Sequence, residues 1–227
     1  MKSASHHAMG HLLYESLTQQ GYKLDREIFV LGNLLPDYMP ELILNPHFTL
    51  KCQREIHVFT EALAGQPIEK DELLPPEYAL RLGILCHYLT DYFTFAHTPE
   101  FRMGLKQHAA YEQQLDDYFR DHYTAEESTL GRLAFVSCDI ARDVAKEVYR
   151  FKREYRAAEY TLSRDVQFAF SACLNSMTQL LAISEAREEH ARAPRRFVPF
   201  AAEKYAFTDI IRRKQIVPRR AWCPTCA

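Results

Sequence analysis

The stretch Gly83-Ile-Leu-Cys-His87-Tyr-Leu-Thr-Asp91-Tyr-Phe-Thr-Phe-Ala-His97 decides how this chain is read. It lies in the most apolar helix the sequence predicts, over residues 77–96, opened by Pro75-Pro76 where proline suits a first helical turn. Residues four apart share a helix face, so His87 and Asp91 present an imidazole beside a carboxylate. His108-Ala-Ala-Tyr-Glu112 repeats the pairing a little further on. A carboxylate inside so apolar a run is expensive to bury alone, so a metal or a complete hydrogen-bond network must compensate Asp91. Two such pairs, with His97 between them, point to more than one metal. Neutral nitrogen combined with charged oxygen suits zinc.

Outward from this stretch the chain is helical. Only 7 glycines in 227 residues and little alternation of apolar and polar positions argue against a large sheet. Helices are predicted over 9–20 with Gly21 as the stop, over 25–35 ended by Pro36, and over 50–63 closed by Gly65 and Pro67. Further helices are predicted over 101–122, 126–150 and 156–190. Leu133, Val136, Ile140, Val144 and Val148 line one face of the sixth. The expectation is therefore a single all-α domain over residues 1–192. A basic tail follows over 193–227.

Composition bounds the function. The chain is 47% hydrophobic and 26% charged with a net charge of −2, which is a globular balance and not the basic excess of a dedicated nucleic-acid binder. The opening Met-Lys-Ser-Ala-Ser-His-His is polar, and no run approaches bilayer-spanning length, so a cytoplasmic location is predicted. Cys52, Cys86, Cys138 and Cys173 read as small core thiols. Residues 192–220 carry nine Lys/Arg against Glu203 and Asp209. That region reads as a solvated tail, or as a patch for an anionic membrane surface or nucleic acid. Cys223-Pro-Thr-Cys226 supplies half of a zinc site, either incidental or completed by a partner.

The candidate ligands are His6, His7, His11, Asp37, His47, His57, His87, Asp91, His97, His108 and Glu112. Zinc with an open position generates hydroxide near neutrality, and paired metals also stabilise phosphoryl oxygens, so hydrolysis of a phosphate ester is the chemistry expected. Asp91 is suited to bridge two ions. No His-Asp dipeptide occurs, which disfavours an HD-type phosphohydrolase.

His87-x3-Asp91-x5-His97 followed by His108-x3-Glu112 resembles the zinc-dependent phospholipase C family, whose superfamily includes zinc-dependent single-strand nucleases. Ser5-His6-His7-Ala-Met-Gly10 is similar to the family's opening His with a Gly four residues on. Gly32-Asn-Leu-Leu-Pro36-Asp37 is similar to its Gly-x-x-x-Pro-Asp turn, and Arg54-Glu-Ile-His57 falls where a further helical His is expected. The likeness covers roughly residues 5–120. It implies an all-helical fold with two or three zinc ions. Asp37, His57, His87 and Asp91 would hold one, with His47 the alternative to His57. His97, His108 and Glu112 would hold another, and His6 with bridging Asp91 the third. The family's N-terminal Trp ligand has no counterpart, since the single Trp is Trp222, so the resemblance implies a substitute such as His7 or His11.

The implied function is a zinc-dependent phosphodiester hydrolase of the phospholipase C type, with metal-activated water attacking phosphorus and Asp37 as proton acceptor. A phosphodiester or phospholipid head group would be its substrate. A nuclease or nucleotide hydrolase on the same site, or a non-catalytic metal-stabilised binding protein, are the alternatives. Asp116 is predicted to orient a ligand histidine, and His122 and His190 to lie on the surface. Tyr88, Tyr92, Phe93 and Phe95 read as core packing or as a wall for a quaternary ammonium group.

Overall fold

The computed structural model describes residues 1–38, 49–69, 71–122, 139–157 and 159–190. Among them stand seven α-helices: α1 (Ser3–Gln19), α2 (Arg26–Tyr38), α3 (Thr49–Gly65), α4 (Pro76–Tyr92), α5 (Leu105–His122), α6 (Ala141–Arg156) and α7 (Leu162–His190). A 3-10 turn, Phe95–His97, separates α4 from α5. The all-α class predicted from the sequence is the fold. Strand-like pairing among these residues is one isolated bridge, Lys23 with Leu73.

Helix α4 is the centre of the bundle. Every residue from Tyr78 to Tyr92 except Arg81 is buried, as expected of a helix apolar on all sides. It packs chiefly on α2, then on α3 and α7. Helix α3 turns Cys52, Ile56, Phe59 and Leu63 inward, and α6 turns Val144, Val148, Phe151 and Tyr155 inward. Both sets follow the 3–4 spacing of an amphipathic helix. Each such side chain taken out of water contributes about 1.5–3 kcal/mol, which is why these faces meet.

Helix ends depart from the sequence expectation for identifiable reasons. Helix α1 stops where predicted, at Gly21 with φ of 94°, but begins at Ser3 instead of residue 9. Its first turns bury Ser5 and His6, a polar inward face that apolar periodicity does not register. Helix α2 runs through Pro36 to Tyr38, because a proline this close to the end forfeits only one ladder bond. Helix α4 ends at Tyr92, ahead of the predicted residue 96, because the Asp165 carboxylate takes the Phe95 N–H at 2.8 Å. Helix α6 reaches Arg156, beyond the predicted 150, and Ile140 ahead of it is half exposed instead of core.

Helix α7 corrects a further expectation. Its span Leu162–Glu188 is long and apolar enough to cross a membrane, and 72% of the apolar 18-residue window within it is buried inside the fold. The packing of the bundle thus accounts for its composition. Cys52, Cys86 and Cys173 are buried thiols, as expected. Cys138, His47, Leu133, Val136, the basic tail and Cys223-Pro-Thr-Cys226 lie outside the described residues.

Candidate metal centre

Three helices meet around the buried carboxylate of Asp91. Helix α4 supplies His87 and Asp91 one turn apart. Helix α1 brings His6, whose ring stacks on that of His87 with centroids 4.0 Å apart. Helix α2 brings Asp37 at its last turn. His6, Asp37 and His87 each offer one ligand atom within 4.8 Å of the others. His6 Nε2 lies 3.2 Å from Asp91 Oδ1, while His87 Nε2 lies 3.5 Å from Asp91 Oδ2 and 3.8 Å from Asp37 Oδ1.

The tautomer of His87 is fixed by its neighbour. Its Nδ1 is 2.9 Å from the Asn33 carbonyl oxygen, which only accepts, so Nδ1 carries the proton. In the neutral ring Nε2 then bears a lone pair, and that lone pair faces two carboxylates. A cation held between these three groups would be bound by all of them. Atoms that share a tetrahedral zinc at about 2.0–2.1 Å lie roughly 3.3 Å apart, close to the spacing seen. His6 Nδ1 is in addition buried without a hydrogen-bond partner. The donor set and its spacing fit zinc.

A second group forms beside the first. The 3-10 turn carries His97, and the exposed helix α5 carries His108 and Glu112 on one face. Glu112 Oε1 is 3.2 Å from both His97 Nε2 and His108 Nε2. All three offer ligand atoms within 4.8 Å of one another. Although burial opposes it, the His97 hydrogen bond, the Met1 amino charge and the nearby histidines hold the Glu112 carboxyl down at about 2. His97 Nδ1 lies 3.8 Å from Asp91 Oδ2, so Asp91 faces both groups.

The Met1 α-amino group occupies the space between them, 2.5 Å from Asp91 Oδ1 and 3.3 Å from Glu112 Oε1. Burial alone would lower its pKa, but attraction to Asp91 and Glu112 prevails and raises it to about 11. This place was expected of His7 or His11. Those two pair instead with each other, Nε2 to Nε2 at 3.2 Å, while Arg26 donates to His11 Nδ1 at 3.0 Å. Burial, then the charges of His7 and Arg26, lower His11 to about 4 and keep it neutral.

Other expected residues fall elsewhere. His57 is exposed on α3 and belongs to neither group, because the inward face of that helix is taken by Cys52, Ile56 and Phe59. Among the described residues Asp116 accepts the Ser5 hydroxyl at 2.9 Å and not a histidine. His122 is exposed, as expected. Tyr88, Tyr92 and Phe93 are buried core side chains, Tyr92 and Phe93 facing the Lys152 ammonium at 4.8 and 5.4 Å, and Phe95 stacks on Tyr160 at 4.1 Å. Asp37, by contrast, borders an open cleft lined also by Met1, Lys2, Ser3 and Ala4. Its Oδ2 accepts the Ser3 hydroxyl at 2.8 Å.

Three contributors were not anticipated from sequence. Asn33 is fully buried and clamps both halves of the first group, donating Nδ2 to the His6 carbonyl at 2.6 Å while its own carbonyl holds His87. Its place after Gly32 in the Gly-x-x-x-Pro-Asp turn was the available signal. The other two are the Met1 amine and Asp165.

Two groups of imidazole and carboxylate at metal-ligand spacing, both facing one buried aspartate in an all-α bundle, form a candidate metal centre. Residues 5–162 match the family described as zinc dependent phospholipase C, and the chain belongs to that family. Neither the curated proteins nor the solved structures hold a significant match to the chain.

Proposed function

We propose that this chain is a zinc-dependent phosphodiesterase acting on phospholipid head groups or related diesters. His6, Asp37, His87 and Asp91 would hold one zinc, and His97, His108 and Glu112 a second, with Asp91 shared. The observation that carries the reading is His87 Nε2 standing 3.5 Å from Asp91 Oδ2 and 3.8 Å from Asp37 Oδ1 while its Nδ1 is held by the Asn33 carbonyl. Zinc held there supplies Lewis acidity toward a phosphoryl oxygen and acidity to water near neutral pH. Membership of the family and the donor chemistry of both groups support the assignment.

The chain's own residues do the rest. Asn33 fixes the His87 tautomer, and His6 is anchored through its carbonyl, so both imidazoles are set before substrate arrives. Asp37 is the one carboxylate of the first group that borders the open cleft. One of its oxygens is engaged by Ser3, which orients the group to accept a proton from an incoming water. Lys2 lines the same cleft and places positive charge where a phosphate would enter.

Zinc-loaded protein should hydrolyse bis(p-nitrophenyl) phosphate, a diester that carries no head group. His87→Ala and Glu112→Ala should each lower kcat at least about a hundredfold by disturbing different groups, whereas the exposed His122→Ala should leave it unchanged. Absence of turnover by fully metallated protein from neutral to alkaline pH would sink the hydrolase reading.

A further inference from the structure

Between the 3-10 turn and α5 the chain presents apolar side chains to water. Met103 is 60% exposed and Leu105 90% exposed. Such side chains standing together at a loop tip call for an explanation. They alternate with cations in the order Arg102-Met103-Gly104-Leu105-Lys106, and Arg102 and Lys106 are also exposed. Among the described residues neither makes an ion pair. Glu100, the one acid between His97 and His108, is neutralised by Arg156. Among the described residues the tip therefore carries uncompensated positive charge beside apolar side chains.

The root of this loop is rigid and belongs to the second metal-ligand group. Phe101 packs edge-on against Phe95 at 5.2 Å, against Tyr111 at 5.9 Å and against His108 at 5.8 Å. Leu105 opens the helix that carries His108 and Glu112. Whatever binds the tip is held a few residues from the proposed zinc ligands.

We infer that the loop of residues 102–106 docks this protein on an anionic lipid bilayer, with Met103 and Leu105 entering the interface and Arg102 and Lys106 meeting lipid phosphates. The inference rests on the phosphodiesterase reading for its purpose, since a bilayer is where a phospholipid head group would be met. The occupant follows from charge and shape together. Cations flanking short apolar anchors match an interface whose surface is negative and whose interior is hydrocarbon. The presence of Lys2 in the cleft points the same way, toward anionic head groups.

The test is sedimentation of the zinc-loaded full chain with vesicles of phosphatidylcholine, alone or mixed with phosphatidylglycerol. Wild type should bind the mixed vesicles and bind the neutral ones much less. Met103→Ser with Leu105→Ser, and separately Arg102→Glu with Lys106→Glu, should each weaken binding to mixed vesicles by about tenfold or more. As an independent reading, Leu105→Trp in a Trp222→Phe background should be quenched by brominated acyl chains. Equal binding of the loop variants and wild type, or no binding by wild type, or no quenching, overturns the inference. Hydrolysis of bis(p-nitrophenyl) phosphate separates the two readings. Loop-dependent binding without hydrolysis defeats the phosphodiesterase alone, and hydrolysis without loop-dependent binding defeats the docking surface alone.

Discussion

Gly32 of α2 and Gly83 of α4 meet face to face, so closely that neither position has room for a Cβ. A Cβ on Gly83 would stand 2.1 Å from the Phe29 carbonyl oxygen, and one on Gly32 2.2 Å from the Leu80 carbonyl oxygen. The contact sets the separation of two helices whose next turns carry Asn33, Asp37 and His87. Overpacking a tight site costs about 1–3 kcal/mol, occasionally more, and backbone atoms cannot give way as side-chain tips do. Gly83→Ala should therefore lower stability by at least about 2 kcal/mol, read from urea unfolding. Gly65→Ala, where nothing lies within 4 Å, serves as the control. Equal stabilities of the two variants would contradict this account of the α2–α4 contact.

Asp165 on α7 ties together the segments that present the second group. It accepts the Phe95 N–H at 2.8 Å, the Tyr111 hydroxyl at 2.9 Å and the Tyr155 hydroxyl at 2.6 Å. Phe95 opens the turn that carries His97, and Tyr111 precedes Glu112. Asp165→Ala strands these donors and should cost about 2–5 kcal/mol, since each unsatisfied buried group costs about 1–3. Zinc affinity should also fall about 10–100-fold, as it does when supports of metal ligands are removed. Isothermal titration and chemical denaturation measure the two effects, and unchanged zinc affinity would reduce Asp165 to a structural role.

The same carboxyl makes a pH-dependent contribution. Burial lifts Asp165 from 3.8 to about 6, even though the Tyr155, Phe95 and Tyr111 hydrogen bonds pull the other way. The folded protein thus holds this proton more tightly than the unfolded chain does. Stability from this group is complete below about pH 4 and is lost as pH rises through about 6. In chelated protein, wild type minus Asp165→Asn should show that loss as a difference between the two stability curves. Parallel curves from pH 4 to 7 would exclude it.

Much of this was legible in the sequence, and the residues that escaped share one physical cause. His87, Asp91, His97, His108 and Glu112 announce themselves because helical spacing and an apolar setting act locally. Asp37 and His6 were recoverable through short motifs around Gly32 and Ser5. Helix classes followed from 3–4 periodicity, with ends blurred where partners are remote. Asp165 ends α4 from 70 residues away, and no local pattern in the Tyr-Phe-Thr-Phe run reveals it. His57 misled because a helical histidine looks the same from sequence whether it faces inward or outward. The orientation of α3 is decided by Cys52, Ile56 and Phe59 packing on the bundle.

Asp91 gives the sharpest test of stability. Its carboxylate is 1% exposed and faces His6, His87 and His97. Because metal binding to preformed ligands is coupled to folding, chelation should lower the Tm of wild type by about 5 °C or more. Asp91→Ala should melt lower than zinc-loaded wild type and respond far less to chelator. An unchanged wild-type melting curve on chelation would show that the two groups do not depend on metal for their order.

The central claim, that the two groups around Asp91 are zinc sites, is tested most directly by counting metal. Protein purified without chelator, dialysed and analysed by elemental mass spectrometry should carry at least two zinc ions per chain, one for each group. His108→Ala with Glu112→Ala should carry one fewer while remaining folded. Less than half an equivalent in wild type, with no uptake on zinc titration, would contradict the claim.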